Sequence, residues 1–343
     1  MTTGPRFRLA VYGDGVRASG YVSAARSVPA VEVTAVHGPK GEDGPTPVIS
    51  GDDAVQTATV EDALAGSFDA AIVAASEPDE VIAGLMQGRA SVLVDPSSVA
   101  DAAHARRIRH LVDEHGGTLW PALPRRFTAE ARTARSLLDA GDLGEAVLVR
   151  FVEVGDDADG AAVDRAGASS PSTEFDLAAH AADLVDVAAT CIERPLRSLI
   201  AHTWSAPRSA SVVLVSYLAV TAVFDGDTTA VCEVGTCRPT SGSAAGAEYH
   251  EALLLGTGGM AMLPWDADAA LLFAGGARRA WADSDAAARR LIEAWIGDLR
   301  GDDPVETLAG DLVATVAIRE AIRHSVRGGG VTTVPGDDEE REA

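Results

Sequence analysis

The feature that most constrains this chain lies in its first ~120 residues, where short apolar runs alternate with helix-length stretches. RLAVYG (Arg8 to Gly13), VEVTAVHG (Val31 to Gly38), FDAAIVAA (Phe68 to Ala75), SVLVDP and GTLWPAL read as strands. Between them, residues 15–28, TVEDALAG (Thr59 to Gly66), PDEVIAGLMQGR and VADAAHARRIRHLVDEHGG read as helices. TVEDALAG opens on a Thr-x-x-Asp capping pattern and closes on glycine. Strands separated by helices of this length imply βαβ units and a mainly parallel sheet with right-handed crossovers.

Directly after the first strand stands Gly13-Asp14-Gly15-Val16-Arg17-Ala18, which fits G-x-G-x-x-G/A. Gly13 suits the tight turn, Gly15 a close backbone approach to a pyrophosphate, and Ala18 the packing of helix on strand. The helix that follows offers free N–H groups and the positive end of its dipole. In this context the motif points to dinucleotide binding; the alternative is a turn of the same shape that holds no cofactor.

Beyond residue 122 the pattern changes. After the helix FTAEARTARSLLDAGDLG come EAVLVRFVEV, RSLIAHTWSA, ASVVLVSYLAVTAVFDG, TTAVCEVGTCR, EYHEALLLGTGGMAML and ALLFAGG, all strand candidates. Their succession predicts a mainly antiparallel open sheet. FDLAAHAADLVDVAATCI (Phe175 to Ile192) is the helix among them, and two more helices follow within residues 283–327. The expected organisation is α/β: a doubly wound domain over 1–122, a second domain over 123–335 with the last helices returning near the junction, and a disordered acidic tail over 336–343.

Composition narrows the function classes. The chain has 343 residues, with 28 Lys+Arg against 51 Asp+Glu, a net charge of −23. Such a surface repels nucleic acid and anionic membrane. No apolar run approaches the ~20 residues of a membrane span, and the N-terminus lacks the layout of a signal peptide, so a cytoplasmic protein is expected. The three cysteines, Cys191, Cys232 and Cys237, form no CxxC pair and read as free thiols. The eight histidines include no HExxH, and His104 and His110 share one helix with His115 at no ligand spacing, so no metal site is expected.

His180 is the leading catalytic candidate. Asp176 precedes it by four residues and Asp183 follows it by three, so the three share a helix face. A carboxylate beside an imidazole fixes its tautomer and suits general acid–base work; the plainer alternative is a surface histidine paired to its neighbours. Arg126 suits either an anionic ligand or a structural ion pair. Trp120 suits a cofactor edge or the core, and Tyr249 and His250 are further polar candidates.

Several segments together resemble the Gfo/Idh/MocA oxidoreductases, the glucose–fructose oxidoreductase and inositol dehydrogenase group. FDAAIVAASEPDEVIAGLMQGRASVLVDP is similar to that family's third βαβ unit, and LPRRFTAEARTARSLLDAGDLGEAVLVRF to its Arg-Phe crossover. Asp176-x-x-x-His180-x-x-Asp183 matches its D-x-x-x-H-x-x-D helix, and LLLGTGGMAML and AIRHSVRGGGVTTV its late strand and closing helix. The resemblance runs over residues ~6–335. It implies a Rossmann domain plus an α/β domain whose open sheet serves a homo-oligomer, dimer or tetramer. It also implies hydride transfer between NAD(P) and a small polar substrate such as a sugar, cyclitol or imine. His180, with Asp176 and Asp183, would move the proton. The cofactor would lie on Gly13, Gly15, Val16 and Ala18, with His37, Lys40, Ser76, Pro96 and Arg126 around it.

Two departures stand out. Where the family carries Glu-Lys-Pro, this chain has Val94-Asp95-Pro96, and its single lysine, Lys40, lies in the loop after the second strand. Asp95 could be a general acid, a ligand for an unusual substrate, or the mark of a non-catalytic, redox-silent relative kept for binding or assembly. The acidic residue expected at the end of the second strand is Gly38, followed by Pro39 and Lys40, which tilts the expectation towards NADP, unless Lys40 is an ordinary solvated loop residue.

Overall fold

The computed structural model describes residues 6–13, 15–37, 55–57, 68–75, 78–88, 90–155, 172–205, 214–238, 249–264, 270–273, 277–280, 287–301 and 309–334. The described residues form two units. One draws on Met1–Phe127 and Asp285–Val316, the other on Thr128–Ser284 and Ala317–Ala343. The first unit thus runs five residues past 122. It also takes in residues 285–316, which the sequence pattern had left with the second domain.

The first unit holds a six-stranded sheet. Its strands are β1 (Phe7–Gly13), β2 (Val31–His37), β3 (Val55–Thr57), β4 (Ala70–Ala74), β5 (Ser91–Val94) and β6 (Thr118–Pro121). They lie in the order β3-β2-β1-β4-β5-β6, and every pair is parallel. Ala70 to Ala74 are all buried, as are Leu9 to Gly13. Consecutive strand residues face opposite ways, so both faces of this sheet are covered.

Helices α1 (Gly15–Arg26) and α6 (Ala287–Arg300) cover one face. Ala18, Val22, Leu291, Ile292, Trp295 and Ile296 share a core with Leu9, Val11, Ile72, Leu93 and Trp120. Helix α6 therefore belongs here because its apolar stripe completes this core, a fact that chain order does not reveal. Helices α2 (Asp79–Gln87) and α3 (Ala102–His115) pack on the sheet as well. They are joined where the His104 ring Nε2 meets the Asp79 carboxylate, while the Asp101 side chain caps α3 by accepting from the His104 N–H at 2.7 Å. That bond places His104 in a helix-to-helix tie.

The second unit holds a nine-stranded sheet in the order β14-β13-β12-β11-β7-β10-β9-β8-β15. The strands are β7 (Ala146–Gly155), β8 (Leu196–Ser205), β9 (Leu214–Phe224), β10 (Thr229–Arg238), β11 (Tyr249–Gly256), β12 (Met260–Pro264), β13 (Ala270–Phe273), β14 (Ala277–Ala280) and β15 (Thr332–Thr333). Only β7 and β10 pair in parallel; the other neighbours are antiparallel. One face packs on α5 (Ser172–Ile192), uniting Val149, Phe151, Val220, Phe224, Cys232 and Leu254 with Leu177, Ala181, Val185 and Ala188. Helix α4 (Ala129–Asp139) joins that core through Ala131, Ala134 and Leu137. Helix α7 (Ala309–Gly328) adds Ile318, Ala321 and Ile322.

The segment EYHEALLLGTGGMAML is a hairpin rather than one strand. It breaks at Gly256–Gly259, between β11 and β12. The break has a cause in the crossover after α4. Gly144 has φ 68°, and a Cβ there would meet the Thr257 Oγ1 at 2.4 Å. The Gly258 N–H donates to the Leu143 carbonyl at 2.8 Å. The AGDLGE turn and the GTGG turn therefore approach so closely that position 144, at positive φ, leaves no room for a side chain.

The expected helix over 59–66, Lys40, Ser76 and the tail over 336–343 lie outside the described residues. No helix among the described residues is long and apolar enough to cross a membrane.

Candidate active site

In the first unit the chain leaves β1 to one side for β2 and returns on the other side for β4. The order reverses between β1 and β4. In open α/β sheets that reversal opens a crevice at the carboxyl ends of the strands, where ligands bind. Gly13 ends β1 there and α1 begins at Gly15.

The turn is close-packed. A Cβ on Gly13 would stand 2.8 Å from the Ala74 carbonyl oxygen and 3.0 Å from the Ala18 Cβ. Ala18 is fully buried. Two of the three positions in the glycine motif are thus small for a visible reason, since anything larger would push α1 off the strand ends. The turn leaves the first N–H groups of α1 without intrahelical partners, a ready place for a phosphate. The residues present fit a dinucleotide pyrophosphate. Val16 lies in the first turn of this helix and His37 ends β2, paired with Tyr12 and Thr57.

Asp95 follows β5, next to this crevice edge. Its N–H donates to the Val73 carbonyl at 2.9 Å, continuing the ladder. The carboxylate then caps the 3₁₀ turn Pro96–Ser98. Its Oδ1 accepts from the Ser97 N–H at 2.8 Å and the Ser97 hydroxyl at 2.5 Å, and its Oδ2 accepts from the Tyr21 hydroxyl at 3.3 Å. Asp95 is 9% exposed and Tyr21 8%. Pro96, buried, starts the turn with its fixed φ. Sequence reasoning found Asp95 but not Tyr21, which lies 74 residues away.

Arg126 sits in the turn Pro124–Phe127 and donates to the Asp311 carboxylate at 2.7 Å. The structural ion pair weighed for it is therefore present. Trp120 is 2% exposed and belongs to the core.

In the second unit, Asp176, His180 and Asp183 lie along one face of α5. His180 is exposed and Asp183 half-buried, while Leu177, Ala181, Leu184 and Val185 of the same helix are buried. The imidazole thus stands at the wet edge of a helix whose other side is core. Asp186, one turn beyond Asp183, is 3% exposed. Sequence reasoning passed over it, although its i+3 spacing from Asp183 was available.

Tyr249 and His250 fall on β11. The Tyr249 hydroxyl donates to Glu251 at 2.5 Å, and this bond raises the phenol above its ordinary range. On the sheet face away from α5, Arg150 donates to Glu233 at 2.5 and 2.8 Å and to Glu251 at 3.3 Å. Burial works against the Arg150 charge, but Glu233 and Glu251 outweigh it and raise its pKa. Cys191 and Cys232 are buried and free. Burial pushes the Cys191 thiol up to about 12 and Cys232 higher still, so neither suits nucleophilic work.

No protein-family model matches the sequence, and no curated protein matches it. Solved structures do match over nearly the full length. Scyllo-inositol dehydrogenase from Lactobacillus casei, with bound NAD(H) and scyllo-inositol, is 15% identical, with a TM-score of 0.72 over 96% of this chain and 99% of that one. An oxidoreductase from Agrobacterium radiobacter in complex with NAD+, L-tartaric acid and magnesium is 14% identical, with a TM-score of 0.74 over 96% and 98%. GenD2 from gentamicin A biosynthesis, in complex with NAD, is 18% identical, with a TM-score of 0.69 over 98% and 98%. This chain shares their fold, the two-part architecture that the sequence resemblance implied.

Proposed function

We propose that this protein is an NAD(P)-dependent oxidoreductase acting on a small polar substrate of the sugar, cyclitol or imine kind. The observation that carries the reading is the Gly13–Ala18 turn, close-packed at the point where the strand order reverses. Proteins of the same fold described with NAD and with scyllo-inositol or tartaric acid support it. A bound nicotinamide dinucleotide supplies hydride chemistry. The chain's own part is to cradle the pyrophosphate on Gly13, Gly15 and the start of α1, and to move a proton at the substrate oxygen through His180. Asp176 and Asp183, four residues before His180 and three after it in the sequence, are assigned to orient it. Lys40 and the missing carboxylate at Gly38 favour NADP.

The face of the second sheet away from α5 carries Leu148, Leu253, Leu255 and Met262 around the Arg150 cluster. We read it as the surface through which copies of this chain associate into a dimer or tetramer.

A second reading rests on Asp95. No cation stands at that position to stabilise a developing alkoxide, which favours a redox-silent relative that still binds a dinucleotide. Titration with NADPH and NADH by nicotinamide fluorescence, then turnover on a polyol, sugar and imine panel, separates the two. Binding with turnover supports the oxidoreductase, and binding without turnover supports the silent relative. No binding of either dinucleotide at millimolar concentration rejects both.

A further inference from the structure

The carboxylate of Asp95 faces donors from two segments. Through Oδ1 it fixes its own turn, receiving the Ser97 N–H and hydroxyl. Through Oδ2 it receives the Tyr21 hydroxyl. Tyr21 stands on α1, six residues after Gly15 where that helix begins. Its ring is set in the core with Ala18, Leu9 and Trp120. The bond therefore ties the helix that starts at the glycine turn to the turn that follows β5. Carboxylate and phenol are both buried, where a hydrogen bond to a charged group is strong and its loss expensive.

We propose that Asp95 is a positioning residue for the dinucleotide, acting through Tyr21 and Ser97 rather than by giving or taking a proton. It holds α1, whose first turn is assigned above to the pyrophosphate, against the Pro96–Ser98 turn, whose Pro96 the family resemblance places around the same cofactor. The inference rests on that assignment. It also accounts for the absent lysine, because the position is occupied by a clamp between elements and its side chain is turned onto protein donors.

The test compares Tyr21→Phe, Asp95→Asn and Asp95→Ala with the wild type. The readouts are NADPH and NADH affinity by fluorescence, kcat at saturating cofactor, and the melting temperature. Tyr21→Phe removes one hydroxyl and keeps the ring in the core. It is expected to weaken dinucleotide affinity about threefold or more and to leave kcat at saturation within about twofold. Asp95→Asn keeps an oxygen for the Ser97 N–H, and its amide can donate to a rotated Tyr21 hydroxyl. It should therefore recover most of the affinity that Asp95→Ala loses.

Variants that bind as the wild type does overturn the clamp and leave the oxidoreductase reading intact. An Asp95→Asn protein with unchanged affinity and kcat lowered about 100-fold overturns it in favour of a general acid. A wild type that binds neither dinucleotide overturns both the clamp and the functional reading. Should Asp95→Ala fail to fold, Tyr21→Phe and Asp95→Asn decide the matter alone.

Discussion

The two sheets of this molecule solve the burial problem differently. In β4 every residue from Ala70 to Ala74 is buried, so the strand is apolar without interruption. In β9 burial alternates: Leu218, Val220, Ala222 and Phe224 are buried while Tyr217, Ala219, Thr221 and Val223 are half-exposed. The first sheet lies between helix layers, whereas the second lays one face on α5 and turns the other outward. The proposed function divides along the same line. The first sheet offers strand ends and a helix start, and its polar groups are locked by short-range geometry. The second offers His180 on an exposed helix edge and a charged cluster on an open face.

The largest expected effect tests the active side of that division. His180→Asn should lower kcat by about 100-fold or more, the low end for a general acid–base group, and leave dinucleotide affinity nearly unchanged. Steady-state kinetics with a separate binding titration checks both halves. Asp95→Lys comes next. It removes the acceptor from Ser97 and Tyr21 and buries an ammonium at a 9%-exposed site. The expected outcome is lower thermal stability and weaker dinucleotide binding. A gain of activity towards alcohols would show that the lysine geometry survives.

Stability measurements sharpen the contrast between the sheets. Ile72→Ala should cost about 2–5 kcal/mol, and its neighbour Val73→Ala more than about 1 kcal/mol, because both are fully buried. In β9, Val220→Ala should cost more than about 1 kcal/mol and Thr221→Ala less than about 0.5 kcal/mol. Denaturant unfolding of the four variants reads this directly, and equal costs at 220 and 221 would mean that the open face is covered.

The smallest effect concerns pH. Arg8 donates to Asp69 at 2.9 Å and holds that carboxyl below its ordinary range. A depressed acid contributes stability above its unfolded value of about 3.9, and loses it as pH falls through the lower folded value. The pair is more than a third exposed, so solvent screening keeps its contribution small. Asp69→Asn should therefore lower the melting temperature slightly at neutral pH, with the difference vanishing in strong acid.

Much of the fold was legible because periodicity reports burial. Uninterrupted runs such as AAIVA announced the covered parallel sheet, and alternation announced the open one. The short strands β3 and β14 were not legible: VQT and ARRA carry too few side chains to show a period. The hairpin inside EYHEALLLGTGGMAML was hidden because its glycines answer to Leu143 and Gly144, far away in sequence. The candidate site divides in the same way. The Gly13 turn and the Asp176–His180–Asp183 helix are local patterns and were found. Tyr21 beneath Asp95 and Asp311 beside Arg126 are pairings across 74 and 185 residues, which no local pattern carries.

The central claim is that the close-packed turn at the end of β1 holds a nicotinamide dinucleotide. Fluorescence titration of the wild type and of Gly13→Val with NADPH and NADH tests it most directly. A side chain at residue 13 collides with the Ala74 carbonyl and with Ala18, forcing α1 away from the strand ends. The account predicts saturable binding by the wild type and at least tenfold weaker binding by a Gly13→Val protein that remains folded by circular dichroism. No binding by the wild type, or equal binding by a folded Gly13→Val protein, would contradict it.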